Sequence, residues 1–180
     1  MAIDYAPGGT VQSLMKNQIQ KRKYLKDEEC AQLIKGILLG VKHLHKNDYV
    51  HRDLKPSNIV IQDLNNLVST KLVDFGLAVK DQTRQGFDDN CGTLAYKAPE
   101  QMSGDLIYSK SVDIWAVGFI MYELISLRHP LWDKHSNKES YREKVLNFKK
   151  LKFGSRFTRH ARNLIQTLCH AKPSCRYTVD

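Results

Sequence analysis

Three short blocks of polar residues carry the chemistry in this chain of 180 residues. The first is His51-Arg-Asp-Leu-Lys-Pro-Ser-Asn58, which sets a carboxylate, an ammonium and an amide within a few residues of one another. Sixteen residues after Asn58 comes Asp74-Phe-Gly76, and then Cys91-Gly-Thr-Leu-Ala-Tyr-Lys-Ala-Pro-Glu100. Carboxylate and amide oxygens, which these blocks supply, are ligands of the kind that suits a hard divalent cation. A lone Asp or Asn is more often a turn or cap residue, so the order and spacing of the blocks carry the weight. The four cysteines, Cys30, Cys91, Cys169 and Cys175, form no Cys-x-x-Cys pair and so indicate neither a zinc site nor a redox motif.

Taken together with Asp113-Ile-Trp-Ala-Val-Gly118 and Arg176, the blocks resemble the eukaryotic protein kinase family over the whole chain. Phosphoryl transfer asks a protein mainly to position groups and neutralise charge. The resemblance implies ATP and Mg²⁺ as cofactors, with Asn58 and Asp74 as metal ligands. It implies that Asp53 accepts the proton of the substrate hydroxyl, that Lys55 neutralises the transferring phosphate, and that Thr93 contacts both. Lys55 in its Asp-Leu-Lys-Pro setting and Thr93 resemble serine/threonine kinases, so the implied substrate is a protein Ser or Thr hydroxyl. Thr10 and Ser57 stand where basic-directed relatives carry acids, which speaks against a strong preference for arginine upstream of the target.

Other matched positions are implied to be structural or regulatory. Glu100 and Arg176 resemble the family's buried ion pair, Asp113 would brace the catalytic loop, and His51 and Phe75 would join the hydrophobic spine. Arg52 would bind a phosphate on the segment from Asp74 to Glu100. Asp88 and Asp89 are candidates to stand in for that phosphate, with Thr83 as the alternative switch.

Residues 1–10 resemble the hinge between kinase lobes, and residues 11–180 the C-terminal lobe. On that match Ile3 is the gatekeeper, the backbone of Asp4 and Ala6 meets adenine, and Val60 lies beneath it. Gly8-Gly9 lacks the spacing of a phosphate-covering glycine loop, and no Val-Ala-Ile-Lys strand precedes it. Two readings follow: a serine/threonine kinase whose recorded sequence begins late, or a stand-alone lobe that acts as a non-catalytic protein-binding module. In either case the 180-residue chain by itself is expected to be a poor kinase, with an apolar inter-lobe face left bare.

These groups need a scaffold, and the apolar pattern supplies one. Cys30, Leu33, Ile34, Ile37, Leu38, Val41 and Leu44 recur at helical spacing and predict a helix from Asp27 to Lys46. Gly36 and Gly40 on that helix predict close packing in the core. Ile59-Val-Ile and Lys71-Leu-Val, separated by an Asp-Leu-Asn-Asn turn, predict a hairpin. A helix over Ser109 to Ser126, capped by Ser109 or Ser111, is apolar all round and therefore buried. Shorter helices are expected near 138–148 and 158–170. The fold class is mainly α with a small β-hairpin element (α+β), a kinase-like C-terminal lobe.

Composition is ordinary for a globular domain: 42% hydrophobic and 26% charged in 20.7 kDa. No segment resembles a membrane span or a secretory signal. With its scattered single thiols, the chain is expected in the cytoplasm, or in the nucleus. The net charge of +9 is uneven, because residues 134–176 hold 12 Lys and Arg against 2 Asp and Glu. One reading is a docking face for an acidic partner. The other is a solvated surface whose Tyr141, Phe148, Phe153 and Phe157 point into the core, which speaks against nucleic acid.

Overall fold

A computed structural model describes residues 5–81, 91–103 and 109–179. Helix α1, Val11–Gln20, opens the fold after a turn at Pro7 and Gly8. Its apolar pattern is weak, and sequence reasoning did not predict it. A reciprocal cap starts it: the Ser13 N–H donates to Thr10 Oγ1, and the Thr10 N–H to Ser13 Oγ, both at 3.0 Å.

Helix α2 runs over Asp27–Lys46, as the periodicity predicts. Asp27, Glu28 and Glu29 lie in its first turn, and His43, His45 and Lys46 in its last, so both ends complement the helix dipole. Glu29 also accepts the Lys26 N–H at 2.6 Å. Strand β1, Tyr49–Val50, follows, and then β2, Ile59–Ile61, and β3, Thr70–Leu72. The last two form the predicted antiparallel hairpin, with Ile59 opposite Leu72. The second strand ends one residue earlier than expected. In the intervening turn, Asp63 Oδ1 accepts the Asn65 N–H at 2.8 Å.

The hairpin lies on α2, and two glycines explain how. A Cβ at Gly36 would stand 2.3 Å from Thr70 Oγ1 and 2.5 Å from the Val68 carbonyl, while one at Gly40 would meet Leu72 at 3.0 Å. Strand β4, Val79–Lys80, pairs antiparallel with β1 in a second two-stranded sheet that the sequence did not announce.

Helices α3, Pro99–Ser103, and α4, Ser111–Ser126, complete the centre. Val112, Trp115, Phe119 and Leu124 of α4 are all but inaccessible, and the helix packs between α2 and α6, Arg159–Leu168. Burying each such side chain stabilises the fold by about 1.5–3 kcal/mol. Lys110 occupies the cap position of α4 and makes no capping bond, its ammonium reaching Asp48 instead, while Ser109 Oγ accepts the Ser111 N–H at 3.4 Å and lies 3.0 Å from Ser111 Oγ.

Helix α5, Lys138–Leu146, begins at an Asn137–Ser140 capping box, and α6 at Thr158, whose hydroxyl accepts the Ala161 N–H. Tyr141 and Phe157 are buried, and Phe148 and Phe153 pack on the core, so the aromatics of the basic third form no stacking platform. No helix among the described residues is long and apolar enough to cross a membrane.

Candidate active site

The loop between β1 and β2 carries the first polar block, and a buried carboxylate shapes it. Asp113 of α4 is 1% exposed. Its Oδ2 accepts the His51 N–H and its Oδ1 the Arg52 N–H, at 2.9 and 3.0 Å, while His45 Nε2 stands 2.9 Å from Oδ2. Such satisfaction is what a buried charge requires. The two main-chain bonds also hold Arg52 at a φ of +66°, a left-handed conformation that costs an ordinary residue roughly 1–2 kcal/mol. Further on, Pro56–Asn58 forms a single 3₁₀ turn, entered from an extended Lys55.

This geometry gathers Asp53, Lys55, Asn58 and Thr93. Lys55 Nζ donates to Asp53 Oδ2 and to Thr93 Oγ1, each at 2.7 Å. The Thr93 N–H donates to Asp53 Oδ1 at 2.7 Å, and Asn58 Nδ2 donates to Asp53 Oδ2 at 3.2 Å and to the Asp53 carbonyl at 3.0 Å. Burial alone would raise the Asp53 carboxyl, but the bonds from Lys55 and Thr93 together outweigh it and hold the group below its ordinary value. Gly92 makes the approach of Thr93 feasible. It has a φ of +85°, and a Cβ there would stand 2.7 Å from the Arg52 carbonyl.

Asp74 is carried to the same loop by the main chain. The Val73 N–H donates to the Asn58 carbonyl at 3.0 Å, and the Val73 carbonyl lies 3.1 Å from His51 Nε2. Asp74 then adopts a φ of +64°, and its exposed carboxylate makes no bond to any described residue. Asn58 turns its amide N–H groups toward Asp53, which leaves Oδ1 with only a marginal contact to Ser57 at 3.5 Å. One free carboxylate and one free amide oxygen fit Mg²⁺, which binds through few protein ligands and keeps the rest of its shell for water and phosphate. The described residues hold no cluster of three His, Cys, Asp or Glu side chains that could hold a metal by itself.

The hinge-like segment is fastened to β2. The Gly8 N–H donates to the Ile61 carbonyl at 3.0 Å, the Ile61 N–H to the Gly9 carbonyl at 2.8 Å, and Thr10 bridges to Val60. The half-buried Val60 thus meets Thr10 on one side and pairs with Lys71 across the hairpin on the other. The Ala6 carbonyl accepts the Gly9 N–H at 3.1 Å.

Of the structural candidates, Glu100 and Arg176 form a buried two-armed pair, Nη1 to Oε1 at 2.5 Å and Nη2 to Oε2 at 2.8 Å. His51 and Phe75 have ring centres 5.2 Å apart, although Phe75 is half exposed at 50% and so lines a surface rather than the core. Arg52 Nε donates to the Leu77 carbonyl at 2.7 Å. Asp4, Thr83, Asp88 and Asp89, with the gatekeeper Ile3, lie outside the described residues.

Beneath the site the structure adds groups that no motif reading reached. The Tyr96 hydroxyl donates to Glu123 at 2.7 Å, and His129 and Tyr141 both meet the Ala95 carbonyl. Burial raises Glu123 to about 7, against the weaker opposite pull of the Tyr96 bond. A cavity of about 520 Å³ lies elsewhere, an apolar groove over Ile34, Leu38 and Leu164 lined by none of residues 51–58.

Comparison with known proteins accords with this arrangement. The profile of the protein kinase domain matches residues 1–180. A probable myosin light chain kinase of Dictyostelium discoideum is 33% identical over 99% of this chain and 36% of its own length. The type II calcium/calmodulin-dependent protein kinase of Caenorhabditis elegans is 30% identical over 100% of this chain and 24% of its own length. The alpha chain of that kinase in Drosophila melanogaster is 32% identical over 99% of this chain and 33% of its own length. The chain thus spans about a quarter to just over a third of these relatives. With motif order, helical architecture and profile in agreement, the chain belongs to the protein kinase domain family, of which it forms the mostly helical large lobe.

Proposed function

We propose that this chain is the catalytic lobe of a serine/threonine protein kinase that passes the γ-phosphoryl group of ATP to a protein hydroxyl. The observation that carries the proposal is the closed set of bonds among Asp53, Lys55 and Thr93. A substrate hydroxyl would approach Asp53, whose carboxylate accepts and orients its proton. Because the Asp53 pKa is held low, the carboxylate steers the hydroxyl more than it strips it. Lys55, fixed between Asp53 and Thr93, carries its positive charge to where the transferring group becomes exposed. Asn58 and Asp74 would hold Mg²⁺, which when bound offsets phosphate charge. Ala6 and Val60 would line the adenine side.

The Thr10 side chain is occupied in its reciprocal cap with Ser13, and Ser57 is likewise neutral. This supports substrates without an obligatory upstream arginine. The isolated chain offers one wall of a nucleotide site, so we expect slow transfer from it alone.

The test joins the chain to the small lobe of a relative kinase and measures phosphate transfer from Mg²⁺-ATP to Ser/Thr and Tyr peptide libraries. Transfer to Ser/Thr peptides that falls at least a hundredfold in Asp53→Ala is expected. Transfer unchanged by Asp53→Ala, or equal transfer to tyrosine, refutes the proposal.

A further inference from the structure

Residues Leu94–Tyr96 form a single 3₁₀ turn directly after Thr93, closed by the Tyr96 N–H donating to the Thr93 carbonyl at 3.0 Å. Side chains from three elements grip it. The Tyr96 hydroxyl donates to Glu123 of α4. The Ala95 carbonyl accepts the Tyr141 hydroxyl from α5, and stands 2.8 Å from His129 Nε2. His129 belongs to the turn that follows α4, where Leu127 takes a left-handed φ of 55°.

The surroundings of His129 decide which nitrogen carries its proton. Nδ1 lies 2.7 Å from the Trp132 nitrogen and 3.2 Å from the Leu131 nitrogen, both of them N–H donors. It must therefore present its lone pair, which leaves the proton on Nε2, aimed at the Ala95 carbonyl. The rings of Tyr96, Phe119 and Tyr141 stand with centres 5.5, 5.2 and 5.9 Å from the imidazole. A second proton would have to enter at Nδ1 against two N–H groups. Burial accordingly lowers the His129 pKa to about 4, the Ala95 bond pulling weakly the other way. Glu123, Tyr96 and Tyr141 are the other ionisable side chains gathered here, and burial raises all three.

We propose that His129 is a positioning residue: its Nε2–H holds the Ala95 carbonyl and, through the turn at 94–96, keeps Thr93 locked on Asp53 and Lys55. Its consequence for rate rests on the kinase reading above, whereas its consequence for Thr93 does not. A residue that merely shaped its own turn would need only the Nδ1 acceptor. His129→Asn separates the two roles. An Asn oxygen can still accept N–H groups two and three residues ahead, as in Asx turns, but the side chain is too short to reach Ala95.

The test is hydrogen exchange by NMR on the ¹⁵N-labelled chain and its His129→Asn variant, with the imidazole tautomer read in the unmutated protein. We expect the Nε2–H tautomer at pH 7, a Thr93 amide that exchanges about tenfold faster in the variant, and Leu131 and Trp132 amides that keep their protection. An unchanged Thr93 rate, or an Nδ1–H tautomer in the unmutated protein, overturns the proposal, and the tautomer decides even where the variant folds poorly. In the two-lobed chimera, His129→Asn should lower kcat and leave KM for ATP unchanged. A chimera that transfers no phosphate at all counts against the kinase reading alone, and Thr93 exchange still decides the role of His129.

Discussion

Removing one partner of the Glu100–Arg176 pair should unfold this lobe far more readily than removing both. The Arg176 side chain is 0% exposed and that of Glu100 8%. Besides its two bonds to Glu100, the guanidinium donates to the carbonyls of His170, Ser111 and Ala171 at 2.8, 2.9 and 3.3 Å. It also lies 5.1 Å from the Trp115 ring centre. At an effective dielectric constant near 20, opposite charges at this range attract by about 4 kcal/mol. Desolvation costs several kcal/mol per ion, so the intact pair contributes little net. Glu100→Leu leaves a buried cation without its carboxylate and should cost about 3–5 kcal/mol. Arg176→Met strands the carboxylate and three carbonyls and should cost about 3–5 kcal/mol. The double variant Glu100→Leu/Arg176→Met removes both charges and leaves only the carbonyls short of donors. It should be at least about 2 kcal/mol less destabilised than the sum of the single changes. Urea denaturation followed by circular dichroism measures all three, as a double-mutant cycle. Additive single effects, within about 0.5 kcal/mol, would refute the reasoning.

Gly36→Ala should destabilise the lobe despite the helix-propensity gain of about 1 kcal/mol, because its Cβ meets Thr70 and a backbone carbonyl, whereas Gly40→Ala meets only the movable Leu72 side chain. Paired thermal melts compare them, and a higher Tm for Gly36→Ala would contradict the close packing of hairpin on helix. Glu123, raised from 4.5 to about 7, binds its proton more tightly in the folded state, so its stabilisation is full below about 4.5 and is lost as pH rises through 7. His129, lowered from 6.5 to about 4, works in the opposite direction, its contribution being present above 6.5 and lost as pH falls toward 4. Glu123→Gln should therefore make stability fall more steeply from pH 7 to pH 5 than in the unmutated protein, by roughly 2–3 kcal/mol. Denaturant midpoints at the two pH values measure this, and equal slopes would show that Glu123 is solvated.

Local patterns in the sequence determined the elements whose formation depends on neighbours along the chain. The stripe of α2, the all-round apolar face of α4, the hairpin at 59–72 and the short helices α5 and α6 all follow from periodicity and turn chemistry within a few residues. The chemical site was likewise marked by its motif residues, of which Asp53, Lys55, Asn58 and Thr93 are joined by direct bonds. The α1 helix escaped because its reciprocal cap, rather than a strong apolar stripe, defines its start. The sheet of β1 and β4 escaped because strands of two residues leave no period to read. That Asp113 braces the catalytic loop was implied by the resemblance, but only the tertiary structure could decide that it does so through two main-chain bonds that hold Arg52 in a left-handed conformation, or that His129 carries its proton on Nε2. Each is settled by a buried polar atom finding the partner that the packed helices bring to it, and that distance is not written in the spacing of the residues.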